Sequence, residues 1–168
     1  MKKNILLLFL VLLVPMLNSC ASMSGSSGGF GYEKEAIILH LKSDSDLNIY
    51  QRTPHTLLLC VYQLRDPNAF NQLMDDKEGM QKLLECSRFD PGVTSVKSIV
   101  VLPNQEKTEK LDRAEDTKYV GIITGYYSLK KDYVTRFIQI PLGLFGKPKA
   151  LTVDLRLGAQ GIKEKGKN

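Results

Sequence analysis

Residues 57–64, Leu-Leu-Leu-Cys-Val-Tyr-Gln-Leu, constrain this chain more than any other stretch, because the run is apolar on both of its alternating faces. A strand of that length, closed off by Arg65-Asp66-Pro67, can leave neither face to water, so a sheet interior with material packed on both sides is expected. A first strand is expected over Glu35–Leu41, where Ile37, Leu39 and Leu41 alternate with other residues. After Pro67 the apolar period becomes helical, with Phe70, Leu73 and Met74 on one side of a short helix. A second helix is expected to start near Asp75, with Glu78 three residues later as in a capping box and Met80, Leu83 and Leu84 as its apolar stripe. We assign this insertion, about residues 68–86, to covering the outer face of the 57–64 strand. From Ser95 the pattern is β again, with strands expected at Val96–Leu102, Thr108–Arg113, Tyr119–Tyr126, Val134–Ile140 and Ala150–Leu157. Pro103-Asn104, Glu115-Asp116, Lys130–Asp132 and Gly146–Pro148 mark the turns. Short strands at regular spacing predict a mainly β chain, a two-sheet β-sandwich with a short helical insertion after the second strand.

Ahead of this domain, Lys2 and Lys3 precede an apolar run from Ile5 to Met16 that ends in Leu17-Asn18-Ser19-Cys20. The run is short for a permanent span, which points to a cleaved export signal over residues 1–19. A cysteine directly after a small residue, with Leu17 three positions before it, resembles the bacterial lipobox, which implies acylation of Cys20. Each buried methylene contributes roughly 0.8 kcal/mol, so two or more acyl chains hold a protein firmly on a membrane. Ala21 follows Cys20 where Asp would favour inner-membrane retention, so the outer membrane, on its periplasmic face, is the expected location. Residues 20–31 are small, polar and glycine-rich, the composition of a tether reaching roughly 20 Å, with Phe30 as an early contact with the domain.

The chain beyond the signal, about 149 residues, is enough for one domain, placed at 32–158, with a basic flexible tail at 159–168 carrying Lys163, Lys165 and Lys167. The formal charge is +5, and its basic residues are interspersed with acidic ones, which leaves nucleic-acid binding without support. There is no Gly-x-Ser-x-Gly elbow, no phosphate-cradling glycine loop and no His-Glu-x-x-His, so neither an enzyme, a cofactor nor a small-molecule substrate is expected. His40 and His55 sit at strands or strand edges, and Asp75, Asp76, Asp112, Glu115 and Asp116 fall in caps and turns, where structural roles are expected and no metal site is. Gly121 and Gly125 lie inside a strand, where close packing or a bulge explains them. An oxidising periplasm permits Cys60 and Cys86 to pair, which would fasten the insertion to the second strand; the alternative is two small buried side chains.

The order Leu47-Asn48, Pro54, Cys60-Val61-Tyr62-Gln63-Leu64, a helical insertion near Phe70, Tyr119-Val120-Gly121-Ile122-Ile123, Pro141-Leu142-Gly143 and Leu151-Thr152-Val153-Asp154-Leu155 resembles the TssJ (VasD/SciN-like) family, the outer-membrane lipoproteins of type VI secretion systems. The resemblance spans nearly the whole domain. It implies a transthyretin-like sandwich and a function without chemistry: docking the periplasmic C-terminal region of the inner-membrane protein TssM to the outer membrane. Cys60 stands where the family often carries Arg, and Ile49, Tyr50, Gln51 and Arg52 match no family motif. The implied contact is the long loop after the first strand, Asp46, Leu47, Asn48, Ile49, Tyr50, Gln51 and Arg52, with Tyr50 and Arg52 as anchors by residue type and the Leu142–Lys147 tip as the next candidate. Its rivals are a periplasmic lipoprotein carrier, an enzyme module or an assembly chaperone on the same scaffold, because fold alone does not select a function.

Overall fold

The computed structural model describes residues 29–163; the expected signal peptide, Cys20, most of the expected tether and residues 164–168 lie outside the described residues. Strands β1 (Glu33–Ser43), β2 (Leu57–Leu64), β3 (Val93–Val101), β4 (Glu106–Arg113), β5 (Tyr119–Thr124), β6 (Thr135–Gln139), β7 (Leu151–Leu157) and β8 (Ile162–Lys163) form two four-stranded sheets, ordered β4-β1-β7-β8 and β3-β2-β5-β6. Helices α1 (Asn68–Met74) and α2 (Lys77–Leu83) fill the β2–β3 connection, and α3 (Lys131–Val134) precedes β6.

β2 lies inside the second sheet between β3 and β5, with both faces covered. Its alternation sends Leu57, Leu59 and Val61 toward the facing sheet, where Ile37, Leu39 and Leu41 of β1 and Leu151, Val153, Leu155 and Leu157 of β7 meet them in one apolar core. Gln63, on the same inward face, ties the sheets by polar contacts: its Nε2 donates to the Asp112 carbonyl at 2.8 Å, and its Oε1 accepts from the Ala114 amide at 2.8 Å and the Thr117 hydroxyl at 3.1 Å.

The outward face of β2 carries Cys60 and Tyr62, covered by α1 and α2 through buried Phe70, Met74, Met80 and Leu83. Tyr62 stacks obliquely on Phe70 with centroids 5.6 Å apart and donates its hydroxyl to the Leu83 carbonyl at 2.5 Å. Burial pushes the Tyr62 hydroxyl up to about 12. A disulfide joins Cys60 to Cys86, just beyond α2, with Cα atoms 5.3 Å apart. Gly121 of β5 pairs with Tyr62 and supplies the floor for Phe70: a Cβ there would stand 2.4 Å from Cζ of that ring.

Several boundaries differ from the sequence expectation. α2 is capped by Asp76, whose Oδ1 accepts from the Gly79 amide at 2.6 Å, one residue later than Asp75. β3 begins at Val93, which pairs with Leu64 across a register shift hidden by the polar Thr94-Ser95. β5 ends at Thr124, and Lys131–Val134 is a helical turn where a turn into a longer strand was expected. The flexible tail expected at 159–168 is corrected over residues 159–163, the part that lies within the described residues. Gly161 and Ile162 are buried, and β8 pairs Ile162 with Leu157 and Lys163 with Arg156, because Ile162 has core to enter and Lys163 finds the Asp44 carboxylate. At the other terminus Phe30 packs on the core and its carbonyl accepts from the Asp116 amide at 2.6 Å, so the domain takes in part of the expected tether. The β1–β7 pairing is parallel, a mixed arrangement that periodicity alone does not reveal.

Candidate partner-docking surface

The chain enters the sandwich at the start of β1, and the β1–β2 loop leaves from its end, so the eleven residues of β1 hold the two ends roughly 35 Å apart. The loop is anchored at its root. Leu47 is fully buried and its carbonyl accepts from the His55 amide at 3.0 Å, closing residues 47–55 on themselves. The Asn48 amide donates to the Gly158 carbonyl at 3.3 Å and the Ile49 amide to Ala159 at 2.9 Å, which lashes the loop to the β7–β8 connection. Asn48, also buried, has φ of 48°, a backbone region Asn tolerates better than most residues. Its side chain donates to the Thr56 carbonyl at 3.0 Å and accepts from the Tyr127 amide at 3.2 Å, bridging to the β5–β6 connection.

Beyond this root the loop tip is a four-residue turn in which Tyr50 and Thr53 exchange both backbone hydrogen bonds at 2.9 Å. Gln51 and Arg52 both have positive φ, 48° and 63°, as a type I′ turn requires, though neither is the Gly or Asn such turns favour. The turn lifts both side chains into solvent, and Arg52 has no ion-pair partner among the described residues. Tyr50 stacks on Tyr127 with centroids 4.3 Å apart and planes 17° from parallel, and His55 meets the Tyr127 edge at 5.3 Å. The two tyrosines remain 46% and 56% exposed, so the stack presents its rim outward as an aromatic platform beside a free guanidinium.

Of the seven loop residues expected to meet a partner, Asp46, Tyr50, Gln51 and Arg52 are exposed, Ile49 is half-buried, and Leu47 and Asn48 are buried. The last two hold the loop; they do not present it. Tyr127 was missed, because it belongs to a connection 77 residues downstream of Tyr50 that the β2–β5 pairing and the Asn48 bridge bring there. Exposed Tyr133 joins the same end, resting against Gly161.

The remaining polar candidates have local duties. His40 accepts or donates at Thr108 across the β1–β4 pair at 3.0 Å, remote in role from His55. Asp75 pairs with Lys131 at 2.6 Å and Asp116 with Arg65 at 3.0 Å. The Tyr32 hydroxyl and the Glu35 amide both donate to Asp112 and hold its carboxyl below its ordinary range. Among the described residues no group of three or more His, Cys, Asp or Glu could hold a metal ion.

The fold is thus a two-sheet sandwich that carries exposed aromatic and Arg side chains on an ordered loop at one end. The chain belongs to the type VI secretion lipoprotein family: the T6SS-SciN family model, described as type VI secretion lipoprotein, VasD, EvfM, TssJ, VC_A0113, matches residues 35–160. Lip from Serratia marcescens, described as a membrane-bound component of the type VI secretion system, superimposes with a TM-score of 0.62 at 20% identity over 79% of this chain and 98% of that one. The lipoprotein TssJ1 from Pseudomonas aeruginosa gives 0.57 at 18% identity over 82% and 98%. A chain from a structure described as the TssM C-terminal domain from EAEC gives 0.57 at 14% identity over 76% and 94%. These likenesses establish the shared fold. No curated protein matches the sequence. Among the described residues no helix is long and apolar enough to cross a membrane.

Proposed function

We propose that this chain is acylated at Cys20, sits on the periplasmic face of the outer membrane, and docks the periplasmic C-terminal region of TssM through the Tyr50–Arg52 turn and Tyr127. The role is mechanical and needs no reacting group. The observation that carries the reading is the polarity of β1, whose start receives the segment leading from Cys20 and whose end launches the aromatic platform, so that pull on a bound partner is transmitted along a paired strand to the anchor. Aromatic and Arg side chains contribute disproportionately at interface centres, and here the two tyrosines stack on each other within the chain itself.

The test has two arms. Binding of the TssM periplasmic domain is measured by calorimetry with unaltered protein, Tyr50→Ala/Arg52→Ala and Tyr127→Ala; losses of about 2 kcal/mol or more per anchor are expected, and undiminished affinity for all variants would place the contact elsewhere. Palmitate labelling and fractionation follow the membrane arm, where Cys20→Ser should lose label and normal processing. Label retained by that variant would overturn acylation at this residue.

A further inference from the structure

We propose that the Leu144–Phe145 tip enters the phospholipid interface at which the chain is held, as a second and non-covalent membrane contact; this rests on the anchoring at Cys20 proposed above. Residues 141–149 form a small hairpin in which Leu142 bridges Pro148, the Gly143 amide donates to Lys147 at 2.7 Å and the Lys149 amide donates to Pro141 at 2.8 Å. At its tip Leu144 is 84% and Phe145 96% exposed. Phe145 has φ of 60° and Gly146 φ of 70°, and a bulky residue rarely adopts that region unless its surroundings hold it there. The turn therefore spends backbone strain to point two large apolar side chains away from their own core.

The hairpin stands at the anchored end. The buried Arg113 guanidinium donates to the carbonyl of Gly31 at 3.3 Å and to that of Lys149 at 3.5 Å, and pairs with Glu33 at 2.7 Å, so one side chain joins the start of the domain to the hairpin base. Eight residues lie between Cys20 and Gly29, so the two are at most roughly 30 Å apart even when the chain is fully extended. A bilayer holding Cys20 is thus within reach of the tip. Charge agrees: Lys147 and Lys149 flank the tip and are exposed, and no carboxylate occurs from Tyr133 to Val153. Glu33, Asp112 and Asp116 at this end are engaged by Arg113, Tyr32 and Arg65, which leaves the exposed Glu115 on the β4–β5 turn as the acid set against Lys147 and Lys149. Apolar side chains on a turn flanked by cations suit the boundary between acyl chains and anionic headgroups.

The chain contains no tryptophan, so Phe145→Trp introduces a single reporter. Acylated protein carrying it is reconstituted into vesicles of phosphatidylethanolamine and phosphatidylglycerol with brominated acyl chains, with flotation and the mass of the Cys20 peptide recorded in parallel. We expect blue-shifted, quenched emission, and no quenching for Tyr50→Trp at the opposite end. Acylated, floated protein whose Phe145→Trp emission stays water-like and unquenched overturns the tip contact and leaves the anchor standing. Should Cys20 carry no lipid, the anchoring reading fails by itself. The tip is then decided by the same quenching with residues 20–168 carrying Cys20→Ser, held on nickel-chelating lipid through an amino-terminal histidine tag. A blue shift that appears only after the TssM periplasmic domain is added assigns the tip to protein and overturns the lipid contact.

Discussion

Replacing Gly121 by alanine sets two effects of opposite sign against each other. Alanine loses less backbone freedom than glycine in a strand, which favours the variant by roughly 0.5–1 kcal/mol. The new methyl would stand 2.4, 2.6 and 2.7 Å from three atoms of the Phe70 ring, about 1 Å inside ordinary contact. Phe70 cannot swing into solvent, because it is fully buried between Tyr62 at 5.6 Å and Phe137 at 6.2 Å. Overpacking of that kind costs typically 1–3 kcal/mol, and the tight enclosure of the ring puts this case at the upper end. Steric cost wins, and Gly121→Ala should destabilise the domain by about 2–2.5 kcal/mol net. Urea unfolding followed by circular dichroism would read this as a midpoint lowered by roughly 1–1.3 M for a slope of about 2 kcal/mol/M. The same substitution in a Phe70→Ala background should be neutral or stabilising, since the clashing ring is gone and only the strand preference remains. Equal cost in both backgrounds, or a Gly121→Ala domain as stable as the parent, would refute the idea that this glycine exists to seat α1 on the sheet.

Removing the disulfide with Cys60→Ala/Cys86→Ala releases a closure of 26 residues; the chain-entropy model gives about 3.5 kcal/mol of lost stability, read by urea unfolding against the oxidised parent. Asn48→Ala leaves the Thr56 carbonyl and Tyr127 amide unpaired and puts alanine at positive φ, so a loss of about 2 kcal/mol is expected, with slower protection of the Tyr127 amide lost first in hydrogen exchange. Tyr62 ionises near 10.0 when unfolded and is pushed up to about 12 by burial. Its contribution is therefore fully present below pH 10 and disappears as pH rises toward 12, and Tyr62→Phe should flatten the alkaline stability slope by one proton, about 1.4 kcal/mol per pH unit; an unchanged slope in that window would contradict the burial argument.

Local patterns were enough for the long elements whose apolar period is strong, and failed at boundaries such as the helical turn Lys131–Val134. The two-faced apolarity of Leu57–Leu64 demanded cover on both sides, and the helical stripe from Phe70 to Leu84 named its source, because strand and helix periods are properties of adjacent residues. The β-sandwich and most strand positions followed from the same logic. The loop after β1 was recognisable from its length and composition, but its inner division was not. Leu47 and Asn48 look like any residues of a polar loop until the Gly158 and Ala159 carbonyls and the Tyr127 amide arrive to bind that root.

What the sequence by itself determined is the set of elements and which side of each needs burial, since those depend on the spacing of apolar side chains a few residues apart. Tertiary structure alone decided the parallel seat of β7 beside β1, the recruitment of Ile162 and Lys163 into β8, the Tyr50–Tyr127 stack and the seat of Phe70 on Gly121. Each of these joins segments whose local patterns would tolerate other partners, and the choice among them falls to the shape of the shared core and to the buried backbone groups that must find a hydrogen bond once water is excluded.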